Sequence, residues 1–251
     1  MGTKKVYQRD GLPITVEQKN VGRGHKYVVT GIEELTDDNG NPIKMPSVTG
    51  ITSATDGSGV EPIKRWALKH ATEYARTELN DIPLKTIMGS WNKVLDEAKK
   101  WPDSVLKMAG DRGTRIHKAV EKYLRKSTLW KMELDPEIDD ADKLAVCFDK
   151  IANWLQEVNL QIVMTEAPLY HKELQVGGTV DMVVADNISR IYVCDFKTGS
   201  NIYFKDGLQV NGYIACLVSM LHDGVELWEG FSDKMPTAEE FEKLQFGGAV
   251  T

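Results

Sequence analysis

An aspartate and a lysine lie two residues apart at the end of the apolar segment IYVCDFKTG, residues 191–199. If this segment is a strand, alternation places Asp195 and Lys197 on one face. A carboxylate can hold Mg²⁺, and a lysine ammonium can hold an attacking water or the charge that develops on a phosphate. The pair alone also fits a simple ion pair at a strand end, so its meaning depends on the residues around it.

A second aspartate, Asp181, lies in the preceding apolar segment GGTVDMVV. A carboxylate that is buried without a partner is costly, so we expect Asp181 to face a cation. Two carboxylates on neighbouring strands, aimed at one edge, are what a divalent-cation site for phosphodiester hydrolysis requires. A turn or helix-cap role is the alternative, and the apolar residues on both sides of Asp181 argue against it.

Further polar residues lie on either side of these strands. His117 and Glu121 are four residues apart on one face of a predicted helix, so His117 can supply an imidazole ligand that Glu121 supports. Glu166 is interpreted either as another carboxylate near a metal or as a solvated strand residue. Gln209 and Tyr213 also share a helical face and can contact a phosphate or hold another side chain, although isolated pairs of this kind are usually surface residues.

The N-terminal part of the chain predicts a strand, a hydroxyl-rich connection and several helices. Residues 26–35 have the composition of a strand, and residues 46–55 (PSVTGITSAT) are predicted to be extended or a loop. Helices are predicted from residue 61 onward, over about 84–99, from near Pro102 to residue 125, and over about 139–158. Pro102 is expected near the start of its helix, where proline is tolerated.

The pattern changes after residue 160. Residues 161–170, 178–185 and 190–197 are predicted to form three successive strands, because glycines and the Asp186-Asn187 pair supply turn chemistry between them. A helix over about 205–221, a short strand over 225–230 and a last helix over 237–244 complete the chain. Thr237 and Glu240 form a capping box at the start of that last helix. The order of elements predicts an α/β fold.

Composition limits the class of protein. The chain has 251 residues, 41% of them hydrophobic, and a net charge of −6, which weighs mildly against a nucleic-acid partner. A carboxylate metal site weakens that objection, because bound cations offset its charge. No apolar run approaches the ~20 residues of a membrane span, and the N-terminus lacks a secretory signal, so we expect a cytoplasmic protein. With three cysteines, neither a disulfide framework nor a four-cysteine site is expected within the chain.

The order of the motifs is more specific than any one of them. The stretches GTRIHKAVEKYL, EAPLYHKELQVGGTVDMVV, VCDFKTG and QVNGY follow one another within residues 105–220. In this order they resemble the RecB-like nucleases of the PD-(D/E)xK superfamily. The upstream PSVTGITSAT and the Trp-containing EPIKRWALKHATEYA resemble the N-terminal part of phage-type exonucleases related to the mitochondrial genome maintenance exonuclease.

This resemblance implies a restriction-endonuclease-like core over residues 101–251, with a mixed central β-sheet flanked by helices. Residues 1–100 would be an N-terminal β and helical addition that packs on the core and lines the DNA path. The implied activity is Mg²⁺- or Mn²⁺-dependent hydrolysis of DNA from its ends, in replication, recombination or repair. Single-stranded DNA or DNA ends are the expected partner, together with replication or recombination proteins. No iron–sulfur cluster, ATP or membrane is expected, and a Gly-rich ATP loop is absent from the sequence.

The resemblance also implies roles for individual residues. His117, Asp181 and Asp195 would bind the metal, together with the main-chain carbonyl of Phe196. Lys197 would position or activate the attacking water. Glu121 and Glu166 would belong to the catalytic centre, and Ser47, Thr49, Gln209 and Tyr213 would contact the DNA. Apart from the resemblance, the basic side chains of Arg112 and Arg115 are also expected to contact the DNA path.

Three other functions stay open. The first is a DNA-binding partner protein of the same fold that no longer cuts, and the filled metal and lysine positions argue against it. The second is a structure-specific or restriction-type endonuclease, which activity on closed circular DNA would reveal. The third is a small-molecule hydrolase, which the absence of a nucleophile elbow leaves with little support.

Overall fold

The structure is a computed structural model, and it describes residues 3–21, 24–55, 60–80, 84–187, 190–199 and 201–227. The strands are β1 (Lys4–Arg9), β2 (Leu12–Val21), β3 (Gly24–Thr30), β4 (Lys44–Pro46), β5 (Gln161–His171), β6 (Val176–Ala185), β7 (Ile191–Cys194) and β8 (Val225–Glu226). The helices are α1 (Val48–Thr55), α2 (Val60–Asn80), α3 (Leu84–Leu124), α4 (Ala141–Glu157) and α5 (Phe204–His222), with short 3-10 helices at Glu33–Leu35 and Thr128–Glu133. The predicted α/β class is confirmed. The predicted helix over 237–244 lies outside the described residues.

The described strands form a five-stranded sheet in the order β4-β3-β2-β1-β8 and a three-stranded sheet in the order β5-β6-β7. Each strand pair in these two sheets is antiparallel. The mixed central sheet expected from the resemblance is therefore wrong for this part of the chain, where the parallel pairing is an isolated bridge between Ser47 and Gly177. Short connections join β1 to β2 and β5 to β6, and connections of this length join antiparallel neighbours.

One hydrophobic core joins the N-terminal sheet to β5, β6 and α5. Val16 of β2, Leu169 of β5 and Leu217 of α5 are fully buried in it. The Tyr7 hydroxyl donates a hydrogen bond of 2.8 Å to the Pro168 carbonyl and so ties β1 to β5. The N-terminal sheet thus packs on the strands that follow residue 160. The predicted division between residues 100 and 101 falls inside helix α3 and stays a prediction.

Helix α3 is longer than the sequence pattern predicted. The two helices expected on either side of residue 100 are one helix of 41 residues, Leu84–Leu124, with Pro102 inside it. Proline inside a helix removes one backbone hydrogen bond and crowds the carbonyl four residues earlier, which is why a break was expected there. The continuous helix carries His117 and Glu121 in its last two turns, where it meets the β5–β6 pair.

Residues 46–55 were predicted to be extended or a loop, but most of them form helix α1. Ser47 precedes this helix, and its Oγ accepts a hydrogen bond of 2.9 Å from the Gly50 amide, as an N-cap does. Val48 packs so closely on α5 that a Cβ added to Gly212 would lie 2.4 Å from its side chain. Capping and packing outweigh the modest helix propensity of small hydroxyl and β-branched residues.

The remaining predicted elements differ from the structure mainly at their ends. The strands predicted over 161–170 and 178–185 are confirmed as β5 and β6, and the helices over 139–158 and 205–221 as α4 and α5. The strand predicted over 26–35 is β3 followed by a 3-10 helix, and β8 covers only Val225–Glu226 of the predicted 225–230 among the residues described there. Among the described helices, none has both the length and the apolar character that a membrane span needs.

Candidate active site

Three potential metal ligands meet where α3 lies against β5 and β6. His117, Glu166 and Asp181 each offer one ligand atom, and these atoms lie within 4.8 Å of one another. The His117 Nδ1 is 3.3 Å from an Asp181 carboxylate oxygen and 3.9 Å from a Glu166 carboxylate oxygen. Two carboxylates suit Mg²⁺ or Mn²⁺, and the imidazole adds a ligand that transition metals accept. The three residues therefore fit one divalent cation.

The two carboxylates of this cluster come from neighbouring strands. Asp181 is buried in β6, and Glu166 lies on β5 between Thr165 and Ala167, whose partners are the two neighbours of Asp181. Glu166 has a φ of 45°, the left-handed region that a non-glycine residue rarely adopts. Backbone of this kind costs on the order of 1–3 kcal/mol and is concentrated at ligand and active sites. Glu166 thus combines an unusual backbone conformation with a place in the group of potential ligands.

A second cluster follows the end of β7. The Lys197 ammonium lies 2.6 Å from one Asp195 oxygen and donates to the Gln209 Oε1 at 3.0 Å. Gln209 in turn donates from Nε2 to the other Asp195 oxygen at 3.1 Å. These three side chains form a closed hydrogen-bonded ring. Lys197 also lies 3.5 Å from Asp206, so two carboxylates face its ammonium.

The strand predicted over 190–197 ends earlier than expected, and Asp181 explains why. The backbone amide of Phe196 donates to Asp181 Oδ2 at 2.5 Å, so it is bonded to a side chain instead of a neighbouring strand. Strand β7 accordingly ends at Cys194, and Asp195 and Lys197 lie beyond it. They still meet as a pair, as alternation predicted. This amide also connects the two clusters, since Asp181 belongs to the first and Asp195 and Lys197 to the second.

Asp195 lies beside the group of potential ligand atoms and is not a member of it. It was predicted to bind the metal with His117 and Asp181, but within the described residues the group of close ligand atoms contains Glu166 instead. Asp195 is bonded to Lys197 and Gln209 beside that group, and its charge contributes to raising the pKa of His117. Its role as a ligand stays a prediction, as does that of the Phe196 carbonyl.

Gln209 and Tyr213 connect the second cluster to helix α1. Gln209 donates to the Tyr213 hydroxyl at 2.6 Å, and that hydroxyl is 3.4 Å from Thr49 Oγ1. Tyr213 is buried, and a Cβ added to Gly178 would lie 2.6 Å from its ring. Thr49 therefore contacts the tyrosine that holds Gln209, and Ser47 caps α1. The predicted DNA contacts of these residues stay predictions.

Arg112 and Arg115 both form ion pairs with Asp139. Their Nε atoms lie 3.2 Å and 2.7 Å from the two oxygens of Asp139, whose side chain is fully buried. The hydrogen bond from Arg115 is the main cause that lowers the pKa of Asp139 below its usual value, and the Asp135 backbone amide and Arg112 assist. These contacts join α3 to the segment before α4. Their predicted contact with DNA is a prediction that the structure leaves untested.

Glu121 lies one helical turn beyond His117 but outside the group of ligand atoms. Its carboxylate accepts a hydrogen bond of 3.2 Å from the Thr165 hydroxyl and lies 3.0 Å from the Arg125 guanidinium.

Three residues of the site, Arg125, Thr165 and Asp206, were not predicted from the sequence. Helical spacing from Glu121 could have indicated Arg125, and the capping position at the start of α5 could have indicated Asp206. No spacing or motif in the sequence indicated Thr165.

Crowded carboxylates shift the pKa values of the site. Burial, and then the charge of Asp181, raise the pKa of Glu166 to about 7. The same two causes raise the pKa of Asp195, although Lys197 opposes them. Burial alone would lower the pKa of His117, but its hydrogen bond to Asp181 and the nearby carboxylates raise it overall. Excess negative charge of this kind is what a bound cation neutralises.

Comparisons with known proteins provide no family for the chain. No protein-family model, curated protein or solved structure matches it. The membership that the order of motifs suggested therefore remains a proposal. Function has to be inferred from the residues of the site and from that order.

Proposed function

We propose that this protein is a metal-dependent deoxyribonuclease of the RecB-like branch of the PD-(D/E)xK superfamily, which hydrolyses phosphodiester bonds from DNA ends. The main support is the meeting of residues from separate motifs. His117 of α3 lies 3.3 Å from Asp181 of β6, and the Phe196 amide joins Asp181 to the segment that carries Lys197. A cation site and a lysine side by side suit the chemistry of a phosphodiester.

A divalent cation would be held by His117, Glu166 and Asp181, with Asp195 as a further carboxylate beside them. When bound, Mg²⁺ or Mn²⁺ lowers the pKa of a coordinated water, which supplies a hydroxide near neutral pH, and polarises a phosphate oxygen. The protein contributes the arrangement of the ligands. Asp181 is fixed by the Phe196 amide as well as by His117, so its carboxylate has little freedom to turn.

Lys197 supplies positive charge for the phosphate. Its ammonium has three donors and no acceptor, and it contacts Asp195, Gln209 and Asp206. Side chains that are already oriented need little rearrangement when charge develops on a phosphate oxygen in the transition state. Gln209 orients both members of the ion pair, and Tyr213 orients Gln209.

The choice of DNA ends as substrate has a narrower basis. It comes only from the resemblance of PSVTGITSAT, EPIKRWALKHATEYA and the later motifs to phage-type exonucleases. A resemblance to a family supports a substrate less directly than the residues of a site do. Replication or recombination proteins as further partners have the same basis. The chemistry of the site itself is equally suited to an endonuclease.

Digestion of DNA with and without ends tests the proposal. Purified protein is incubated with end-labelled linear DNA and with closed circular DNA, each single- and double-stranded, in Mg²⁺, Mn²⁺ or EDTA. We expect metal-dependent loss of the linear DNA only, and the labelled products give the polarity. Cutting of closed circles would replace the exonuclease with an endonuclease. Binding without cleavage by the folded protein in both metals would contradict the proposed reaction.

A further inference from the structure

Three consecutive apolar side chains stand exposed beside the candidate site. Ile202, Tyr203 and Phe204 have relative exposures of 61%, 57% and 84%. They lie where the loop after Lys197 enters helix α5, and we call them the 202–204 ledge. Single exposed apolar residues are common, whereas contiguous exposed apolar surface is often functional.

The ledge is tied to the candidate site by one carboxylate. Asp206 Oδ2 accepts a hydrogen bond of 2.7 Å from the Tyr203 amide, and Asp206 Oδ1 lies 3.5 Å from the Lys197 ammonium. Asp206 is buried, which limits its movement. The ledge therefore keeps a fixed relation to the lysine that would hold a phosphate.

Positive charge accompanies the aromatic surface. The Lys205 ammonium lies 5.5 Å from the centre of the Tyr203 ring. Flat rings next to an ammonium match a polymer that alternates aromatic bases with phosphates, which is the pattern of single-strand binding sites. A protein partner fits less well, because a stable interface takes roughly 800 Å² from each partner and three side chains supply only part of that area.

We propose that the 202–204 ledge stacks unpaired nucleobases of the DNA strand whose phosphate lies at Lys197. This inference rests on the proposed function and deepens it, because it names the residues that would contact the bases of a single-stranded or frayed end. Stacking on Phe204 and Tyr203 draws the bases away from a complementary strand. It is tolerant of sequence, since every base has an aromatic face.

Binding of normal and abasic DNA tests the ledge. Fluorescence anisotropy measures the Kd for a short labelled oligothymidylate and for the same strand with abasic sites, in Ca²⁺. Phe204→Ala and Tyr203→Ala should each bind the base-bearing strand about tenfold more weakly, the order expected for loss of one stacking contact, and the abasic strand as wild type does. Phe204→Trp should retain tight binding. Leu12→Ala, at an exposed apolar residue on β2, should change nothing.

Two outcomes would overturn the ledge as a base platform. The first is that the alanine variants bind both strands as wild type does, or lose the two equally. The second appears in light scattering, if wild type is an oligomer that Phe204→Ala converts to monomers, since the ledge would then be an interface between copies. Circular dichroism of each variant confirms that it is folded.

The ledge and the proposed function can fail separately. Cleavage of linear DNA by wild type in Mg²⁺ or Mn²⁺ decides the function, whereas the difference between base-bearing and abasic strands decides the ledge. If wild type cleaves DNA and the variants show no such difference, only the ledge is rejected. If wild type cleaves nothing but binding depends on the bases and on Phe204, only the nuclease proposal is rejected.

Discussion

Charge repulsion is the main feature of this protein at the residue scale. Glu166, Asp181 and Asp195 come close enough for burial and mutual repulsion to raise the pKa of Glu166 and of Asp195. Their nearby positive partners are His117 and Lys197. A divalent cation would stabilise the charged form of all three carboxylates at once. Repulsion among these carboxylates opposes the stability of the free protein, and a bound cation would relieve it.

Asp181→Asn should weaken binding of Mn²⁺ at least about tenfold, because it removes the charge of a central ligand while keeping its shape. Isothermal titration calorimetry on the full chain measures the affinity. Asp142→Asn is the matched control, since the Asp142 side chain is 96% exposed. If Asp181→Asn binds Mn²⁺ as tightly as wild type, Asp181 is not a ligand and the cation site is wrong.

Part of the site was predictable from residue spacing. Alternation correctly paired Asp195 with Lys197, and helical spacing correctly joined Gln209 to Tyr213. The contact of Glu166 with His117 could not be derived in this way, because the two residues lie on different elements, β5 and α3. Spacing along one element predicts shared faces, whereas contacts between elements need the tertiary fold.

At the scale of elements, close packing of α1 on α5 supports the site. A Cβ at Gly212 would lie 2.4 Å from the buried Val48, whereas a Cβ at Gly207 of the same helix meets nothing within 4 Å. The end of β7 and the start of α1 were both mispredicted for a related reason. In each place a side chain, Asp181 or Ser47, bonds the backbone and outweighs the local propensity.

Gly212→Ala should displace α1 and cost about 1–3 kcal/mol of unfolding free energy, the usual effect of overpacking. It should also lower cleavage, because Thr49 would move away from Tyr213. Gly207→Ala is the control and should be neutral or stabilise by about 0.5–1 kcal/mol through helix propensity. Urea denaturation measures both variants. Equal stability of the two variants would show that the α1–α5 contact tolerates the added methyl group.

The junction between α3 and α4 should depend on pH through Asp139. Its pKa is lowered in the folded state, so its contribution to stability is present above the unfolded pKa of about 4 and is lost as pH falls through the folded value. Asp139→Asn should therefore cost about 2 kcal/mol at neutral pH, through weaker hydrogen bonds to arginine. This difference in unfolding free energy between wild type and Asp139→Asn should become smaller below about pH 4.

Urea denaturation of wild type and Asp139→Asn at neutral and at acid pH measures this deficit. The exposed Asp142→Asn again serves as control. A deficit that is the same at both pH values would mean that shape and packing, and not the carboxylate charge, make Asp139 important.

At the scale of the whole molecule, the five-stranded sheet and the candidate site share one hydrophobic core. Val16 and Val29 of that sheet are buried with Val183 and Leu217, which lie on the elements that carry Asp181 and Gln209. The sequence predicted the α/β class and most helices, because periodicity is local. It could not predict the pairing of β1 with β8, whose residues are distant in the chain.

Val16→Ala should cost about 2 kcal/mol and lower the stability of the entire described fold in a single transition. Tryptophan fluorescence reports mainly on the helices, because no tryptophan lies in β1 to β4, and far-ultraviolet circular dichroism reports on all elements. We expect the two probes to shift together in urea. Separate transitions, with only one displaced by the substitution, would instead support an N-terminal region that folds by itself.

The most direct test of the proposed nuclease centre is the single-turnover rate on end-labelled linear DNA in Mg²⁺ or Mn²⁺. Wild type is compared with Lys197→Ala and with Lys150→Ala, a control at an exposed lysine of α4. Loss of one electrostatic donor should reduce the rate of Lys197→Ala at least about 100-fold, while its circular dichroism and the activity of the control stay as in wild type. A folded Lys197→Ala variant that cleaves at the wild-type rate would contradict the account.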